Sequence, residues 1–158
     1  MDHHINTDPL TGLMNRRGLN YVMTQNMKMN IQFSVLLMDV DHFKNVNDNY
    51  GHDQGDVVLK HIAKTMQQKF RKDDICCRYG GEEFIIIIPN SNLTEVYESA
   101  ERFRKEIACK EIHNIGFISI SIGIASWPDS SKNILDVLKI ADNNLYRAKD
   151  DGRNCVRY

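Results

Sequence analysis

The chain has 158 residues, of which 42% are hydrophobic, enough for one folded domain with its own core. This composition excludes a disordered or collagen-like chain. Basic and acidic residues are nearly balanced, at 20 against 21, so we expect no nucleic-acid partner, although a single triphosphate needs only a few well-placed cations.

Helices and strands are expected to alternate along the chain, without repeats or low-complexity linkers. Runs of branched and apolar residues indicate strands, and apolar residues recurring every three or four positions indicate helices. In chain order these patterns predict a helix at 16–29, a strand at 33–39, a short helix from Phe43, a helix at 54–70, strands at 75–79 and 84–88, a helix at 93–108, a strand at 115–125, a helix at 134–149 and a short edge strand at 155–158.

The order of these elements contains a strand–helix–strand–strand–helix–strand unit, the split βαβ pattern of ferredoxin-like folds. We therefore expect one α+β domain over residues 1–158, with a mainly antiparallel five-stranded sheet flanked by helices. In that topology a hairpin strand lies between two parallel strands, and the carboxyl end of the first strand lies beside the hairpin turn. The fold would thus bring Asp39 close to Glu82 and Glu83.

The cysteines and the apolar runs indicate where the domain resides. The four cysteines form no CxxC pair, and the adjacent Cys76 and Cys77 suit neither a zinc site nor an ordinary disulfide. The longest apolar runs have strand length, far short of a bilayer span, and no signal peptide opens the chain. We expect a cytoplasmic domain without membrane insertion. Whether a sensory or membrane segment lies upstream stays an open question.

The turn Gly80-Gly81-Glu82-Glu83 carries the first candidate site. By itself it fits an acidic, solvated hairpin turn equally well, because two glycines suit a tight turn. Asp39 at the end of a buried strand adds a third carboxylate at the same place. Hard oxygen ligands of this kind suit Mg²⁺, which binds through one or two carboxylates together with substrate phosphates.

The segment after Asp39 predicts a phosphate contact. Asp41 is a good N-cap for a helix that begins near His42, and the free N–H groups of Phe43 and Lys44 would then face the carboxylates. A purely structural cap is an equally good interpretation of Asp41.

Asn47 and Asp56 bracket a turn, where both residue types commonly serve turn and cap chemistry. The alternative is recognition of a base, because a carboxylate can accept hydrogen bonds from guanine N1–H and N2–H₂. Adenine lacks that pair of donors and would leave the carboxylate unmatched. Lys149 and Arg153 flank Gly152 and are either surface charges or phosphate contacts, which the residues alone do not decide.

Taken together, the chain resembles the GGDEF family of diguanylate cyclases over nearly its whole length. The matching segments are the opening at 8–17, Asp39-Val40-Asp41-His42-Phe43-Lys44, Asn47-Asp48, Gly51-His52, Gly55-Asp56, the signature Arg78-Tyr79-Gly80-Gly81-Glu82-Glu83-Phe84, Ser121-Ile122-Gly123, and the closing Ala141-Asp142, Tyr146, Ala148-Lys149 and Gly152-Arg153-Asn154. No catalytic position of the family pattern departs from it.

The resemblance implies a fold similar to nucleotidyl cyclase catalytic domains and a reaction that condenses two GTP molecules into cyclic di-GMP and two pyrophosphates. The family's Mg²⁺ set, which Mn²⁺ can also occupy, matches Asp39, the backbone carbonyl of Val40, Glu82 and Glu83. Glu82 also matches the residue that assists deprotonation of the attacking 3′-hydroxyl. The substrate contacts of the family match Phe43, Lys44, Asn47, His52, Asp56, Lys149 and Arg153.

The resemblance also implies partners. One domain presents one GTP, so a homodimer is needed for catalysis, and a regulatory domain is expected upstream. Arg71 and Asp74 fit the family's RxxD product-inhibition motif, with Arg102 as a further contact, although a charged loop is the plain alternative. Two other functions stay open: a non-catalytic domain that binds GTP or cyclic di-GMP, and a related cyclase that uses ATP.

Overall fold

A five-stranded sheet with helices on both faces forms the centre of the protein in the computed structural model, which describes residues 5–158. The helices are α1 (Arg16–Lys28), α2 (Phe43–Tyr50), α3 (His52–Lys69), α4 (Leu93–Cys109) and α5 (Ile134–Asp150). The strands are β1 (Phe33–Val40), β2 (Ile75–Arg78), β3 (Glu83–Pro89), β4 (Ile120–Trp127) and β5 (Val156–Arg157).

The strand order β2-β3-β1-β4-β5 confirms the predicted ferredoxin-like arrangement. Strand β3 lies between β1 and β2 and runs antiparallel to both, and β4 pairs with the other side of β1, also antiparallel. The short β5 adds a parallel edge beside β4. The sheet is therefore mainly antiparallel, as expected, and β1 is its central strand.

Two apolar clusters cover the faces of the sheet, because β1 and β3 direct alternate side chains to opposite sides. One cluster joins the sheet to α2, α3 and α4, and the other joins it to α1 and α5. All eight residues of β1 are buried. A strand that is covered on both faces reads as a continuous apolar run, which explains why β1 and β3 were easy to predict.

The strand predicted at 115–125 begins too early. In the structure β4 covers Ile120–Trp127. β1 supplies the partner for β4, and its last residue, Val40, pairs with Ile120, so earlier residues have no strand beside them. The chain turns at Gly116, which has a φ of +100° and whose N–H donates to the carbonyl of Ile112.

Helix α5 packs directly on β4 at Gly123. A Cβ atom at this position would collide with the backbone of Ala141 and Leu145, so only glycine allows the helix to lie this close. The buried side chain of Asn144 donates to the carbonyl of Ile124 at 2.9 Å and fixes the helix along the strand. This packing sets the position of the C-terminal turn of α5, which carries Lys149.

No helix among residues 5–158 is long and apolar enough to cross a membrane. All four cysteines lie in the described part of the chain and are free thiols.

Candidate functional site

The carboxyl end of β1 meets the hairpin between β2 and β3, as the topology predicts. Asp39 pairs with Glu83 in the register of β1 and β3, and the N–H of Val40 donates to the carbonyl of Glu82 at 3.4 Å. Asp39 is buried, whereas Glu82 and Glu83 are half-buried. We refer to Asp39, Glu82, Glu83 and Lys149 together as the carboxylate end of the sheet.

Lys149 reaches this group of carboxylates from α5 and forms an ion pair with Asp39 Oδ2. The Asp39 side chain is only 10% exposed, so the pair lies largely out of water. The second oxygen, Asp39 Oδ1, is buried and has no hydrogen-bond partner among the described residues. A buried acceptor without a partner is costly, and this one is a ready position for a cation.

The two glutamates hold their protons more tightly than usual. Burial raises the pKa of Glu82 to about 7, and the negative charge of Asp39 acts in the same direction, while Lys149 opposes both. Burial also raises the pKa of Glu83, with the charges of Asp39 and Asp142 adding to the effect. A carboxyl with a pKa near 7 can exchange a proton at neutral pH.

A divalent cation fits this end of the sheet only with help from a ligand. Within residues 5–158 no three His, Cys, Asp or Glu side chains converge closely enough to form a metal site by themselves. The unpartnered Asp39 Oδ1 and the raised pKa of Glu82 nevertheless mark a place where positive charge would be stabilising. This combination suits Mg²⁺, which usually takes one or two carboxylates and completes its shell with water and phosphate.

Asp41 does not cap α2, contrary to expectation. The N-cap residue is His42, which has a left-handed backbone (φ 55°) and whose side chain makes no capping hydrogen bond. Asp41 is buried and accepts hydrogen bonds from Ser119 Oγ at 2.7 Å, Ser121 Oγ at 2.6 Å and the N–H of Asn154 at 2.9 Å. Its oxygens are taken by the start of β4 and by the loop after α5.

The proposed base-reading residues meet at the corner between α2 and α3. Gly51, with a φ of +89°, separates the two helices. Asn47 Oδ1 lies against Gly55, where it occupies the space that a Cβ atom would need, and Asp56 is the next residue along α3. Asp56 and His52 are exposed, and Asn47 is half-buried. The structure therefore places Asn47 beside Gly55, the residue that precedes Asp56, at an accessible corner.

The predicted phosphate contacts come from two segments that are far apart in sequence. Phe43 and Lys44 form the first turn of α2, which follows directly from the end of β1; the Phe43 side chain is buried and Lys44 is exposed. Arg153 is exposed in the loop after α5, with a φ of 65°, and its N–H donates to the carbonyl of Ala148 at 3.0 Å.

Arg71, Asp74 and Arg102 line one cavity of about 290 Å³ at the opposite end of the sheet, where β2 begins and β3 ends. We call it the arginine cavity. The N–H of Arg71 donates to Asp74 Oδ2 at 2.9 Å, so the loop folds back on itself. Burial raises the pKa of Asp74, although the bond from Arg71 opposes it. Both arginines are exposed.

Sequence reasoning assigned no role to Arg78 or Asp8. Arg78 Nη2 donates to the carbonyl of Gly81 at 2.8 Å, and its Nη1 forms an ion pair with Asp8 at 3.3 Å. Asp8 Oδ2 in turn accepts from the N–H and hydroxyl of Thr11. Through these bonds Arg78 and Asp8 fix the position of the Gly-Gly turn. The available signal was an arginine two residues before the Gly-Gly pair, with Asp8 and Thr11 three residues apart upstream.

Known proteins provide an independent comparison. Residues 5–155 match the family described as diguanylate cyclase, GGDEF domain. Diguanylate cyclase DgcM from Escherichia coli strain K12 is 38% identical over 160 residues, which cover 99% of this chain and 39% of DgcM. Response regulator PleD from Caulobacter vibrioides strain NA1000 / CB15N is 37% identical over 171 residues, covering 99% of this chain and 37% of PleD. The chain thus spans roughly two fifths of these relatives.

Solved structures agree with this match over the whole domain. The GGDEF domain of DgcB from Caulobacter crescentus, solved in complex with c-di-GMP, superposes with a TM-score of 0.87 at 31% identity, covering 96% of this chain and 94% of that one. The active GGEEF domain of a diguanylate cyclase from Vibrio cholerae superposes with a TM-score of 0.83 at 33% identity, covering 92% and 98%. The chain therefore belongs to the GGDEF domain family of diguanylate cyclases.

Proposed function

We propose that this domain is a diguanylate cyclase that condenses two GTP molecules into cyclic di-GMP and releases two pyrophosphates. The observation that carries the proposal is the meeting of Asp39, Glu82 and Lys149 at the end of β1, with one buried carboxylate oxygen free to take a cation. The names of the relatives support it, because DgcM is a diguanylate cyclase and the DgcB domain was solved with c-di-GMP.

Each half of the reaction forms one bond and breaks one. The 3′-oxygen of one GTP attacks the α-phosphorus of the other, the bond to the β-phosphate oxygen breaks, and pyrophosphate leaves with the electron pair. Glu82 accepts the hydroxyl proton and passes it to solvent. Asp39, the Val40 carbonyl, Glu82 and Glu83 would hold a Mg²⁺ or Mn²⁺ ion together with water and phosphate, and the bound ion would supply Lewis acidity at the phosphate.

The remaining residues bind and orient the substrate. Asn47 and Asp56 read the guanine edge at the α2–α3 corner, beside His52. The N–H groups of Phe43 and Lys44 at the start of α2 contact the phosphates, and Lys149 and Arg153 contribute positive charge. One subunit then holds one GTP, so two subunits face each other across a two-fold axis, and orientation of the two substrates provides much of the rate.

The surrounding protein is part of the same proposal. Because the chain spans only a fraction of its relatives, we infer that residues 1–158 form the catalytic domain of a larger signalling protein with a regulatory segment upstream. The four free thiols suit a reducing cytoplasm. Cyclic di-GMP itself is the proposed occupant of the arginine cavity, where Arg71, Asp74 and Arg102 would hold it as an inhibitor.

The test is turnover of GTP by purified protein with Mg²⁺ across a protein dilution series, with cyclic di-GMP and pyrophosphate measured separately. We expect both products in a one-to-two ratio, and a specific activity that falls on dilution because the active form is a dimer. Glu83→Ala should abolish turnover. ATP in place of GTP should give little product, because adenine cannot satisfy Asp56.

Two results would contradict the proposal. GTP that is bound but stays intact in a concentrated, dimeric sample, with binding that survives Glu83→Ala, would identify a nucleotide-binding regulatory domain instead. Preferential turnover of ATP over GTP would reassign the substrate.

A further inference from the structure

Asp41 is a buried carboxylate that takes no part in the proposed chemistry. Its three hydrogen bonds come from two different parts of the chain: Ser119 and Ser121 around the start of β4, and the N–H of Asn154 after α5. The N–H of Asp41 also donates to the carbonyl of Ser119 at 2.9 Å. A carboxylate with this many short bonds is firmly held, and it fixes the groups that donate to it.

The loop that Asp41 holds is one that would not keep its shape unaided. Arg153 and Asn154 both have left-handed backbones, with φ values of 65° and 46°, and neither is glycine. This conformation is unfavourable for arginine and less so for asparagine, so surrounding contacts must maintain two such residues in a row. The bond from the Asn154 N–H to Asp41 is one such contact. Others are the bond from Arg104 Nη1 to Asn154 Oδ1, at 2.8 Å, and the bond from the Arg153 N–H to the carbonyl of Ala148, at 3.0 Å.

The same carboxylate also adjoins the start of α2. His42, the next residue, is left-handed as well, and α2 begins at Phe43 without a side-chain cap. A single side chain therefore lies between two segments more than a hundred residues apart in sequence, each carrying proposed phosphate contacts: Phe43 and Lys44 on one side and Arg153 on the other.

We infer that Asp41 is a positioning residue that holds the Arg153 loop against the start of α2, so that both segments face the same triphosphate. This inference rests on the proposed function for the identity of the ligand. Asp41 touches no substrate. It acts through the backbone of Asn154 and of its own neighbours, and its loss should weaken GTP binding more than it slows the chemical step.

The test compares two substitutions at this position in the intact protein. Asp41→Ala removes every acceptor, so we expect the KM for GTP to rise by roughly tenfold or more, with kcat changed by less than about threefold. Asp41→Asn can keep all three bonds, because its oxygen can replace Oδ2 while its amide donates to the Ser121 hydroxyl, which can accept. Its KM should stay within about threefold of the parent value. Equal defects in both variants, or a loss confined to kcat, would overturn the inference.

A double-mutant cycle with Arg153→Ala shows whether Asp41 acts through the loop. Once Arg153 has been removed, the effect of Asp41→Ala on KM should shrink well below its effect in the parent, because there is less left to position. Effects that add in full would overturn the inference. Should Asp41→Ala not fold, the pair Ser119→Ala and Ser121→Ala, which loosens the same carboxylate, should raise KM in the same non-additive way.

Failure of the inference and failure of the proposed function give different results. A parent protein that makes no cyclic di-GMP from GTP contradicts the proposed function. A parent protein that turns GTP over normally, while the Asp41 and Arg153 effects add in full, contradicts the positioning role alone.

Discussion

The carboxylate end and the arginine cavity lie at opposite ends of one sheet and are built in different ways. At the carboxylate end, acidic groups on buried strand ends depend on one another and on Lys149 from a packed helix. In the arginine cavity, Arg71 and Arg102 are exposed on a loop and on the face of α4. The charge of the first group varies with protonation, whereas arginine stays charged at every ordinary pH.

This contrast indicates that the two ends can be altered separately. Strand β3 joins them, with Glu83 at one end and Pro89 at the other, a separation of about 20 Å at the usual rise per strand residue. Substitutions more than about 10 Å apart without shared partners generally act independently. A change at one end should therefore leave the function of the other end intact.

The largest effect should come from Gly123→Ala, which acts on the carboxylate end through α5. The added methyl group meets the backbone of Ala141 and Leu145, so α5 must move away from β4 and carry Lys149 with it. We expect a loss of about 1–3 kcal/mol in the free energy of unfolding, together with reduced turnover. Urea unfolding and a GTP assay measure both, and binding of cyclic di-GMP should persist. Unchanged stability would contradict the close packing of α5.

Arg71→Ala should have the opposite pattern. It removes a cation from the arginine cavity but touches nothing at the carboxylate end, so the initial rate should stay the same. Inhibition by cyclic di-GMP should weaken by roughly tenfold or more, the usual worth of a charge-assisted bond. Lys72→Ala, in the same loop, is the matched control. Equal inhibition of Arg71→Ala and the parent would remove the inhibitory site and leave catalysis unaffected.

Gly55→Ala should produce a smaller effect at the base-reading corner. The new methyl group displaces the Asn47 side chain, which can rotate, so the fold should tolerate the change. We expect the KM for GTP to rise by roughly fivefold, about the worth of one hydrogen bond, with little change in the melting temperature. A KM equal to that of the parent would show that Asn47 makes no contact with the base.

The smallest effect should be a pH dependence of stability in metal-free protein. The folded pKa of Glu82, about 7, lies above its ordinary value of 4.5, so the native state keeps a proton that the unfolded chain has already released. The stability contributed by this group is complete below pH 4.5 and is lost as the pH rises through 7. The melting temperature, measured in the presence of a chelator between pH 5 and 8, should fall more steeply with rising pH for the parent than for Glu82→Gln. Parallel curves would contradict the raised pKa.

The sequence predicted the framework well because the strongest signals belong to fully buried strands. β1 and β3 read as continuous apolar runs, and once their topology was inferred, the meeting of Asp39 with the hairpin turn followed. The predicted start of β4 was wrong. The strand begins where its partner β1 ends, and the local alternation of residues 115–119 does not show that position.

Contacts between distant segments could not be predicted from the sequence for a similar reason. Asp41 has the residue type and location of a helix cap, and only the fold reveals that Ser121 and Asn154 lie close enough to occupy its oxygens. Gly123 gave no local sign that a helix backbone would lie against it. In both cases the partner comes from a segment that nothing near the residue identifies.

The ion pair between Lys149 and Asp39 has a consequence for the order of binding. For Lys149 to reach a phosphate it must leave Asp39, and a bare carboxylate in so dry a position is costly. The cost disappears when a divalent ion arrives together with the anionic triphosphate, since each partner of the old pair then gains a new counter-ion. Metal and nucleotide should therefore bind with positive cooperativity, each weakly in isolation and much more tightly in the presence of the other.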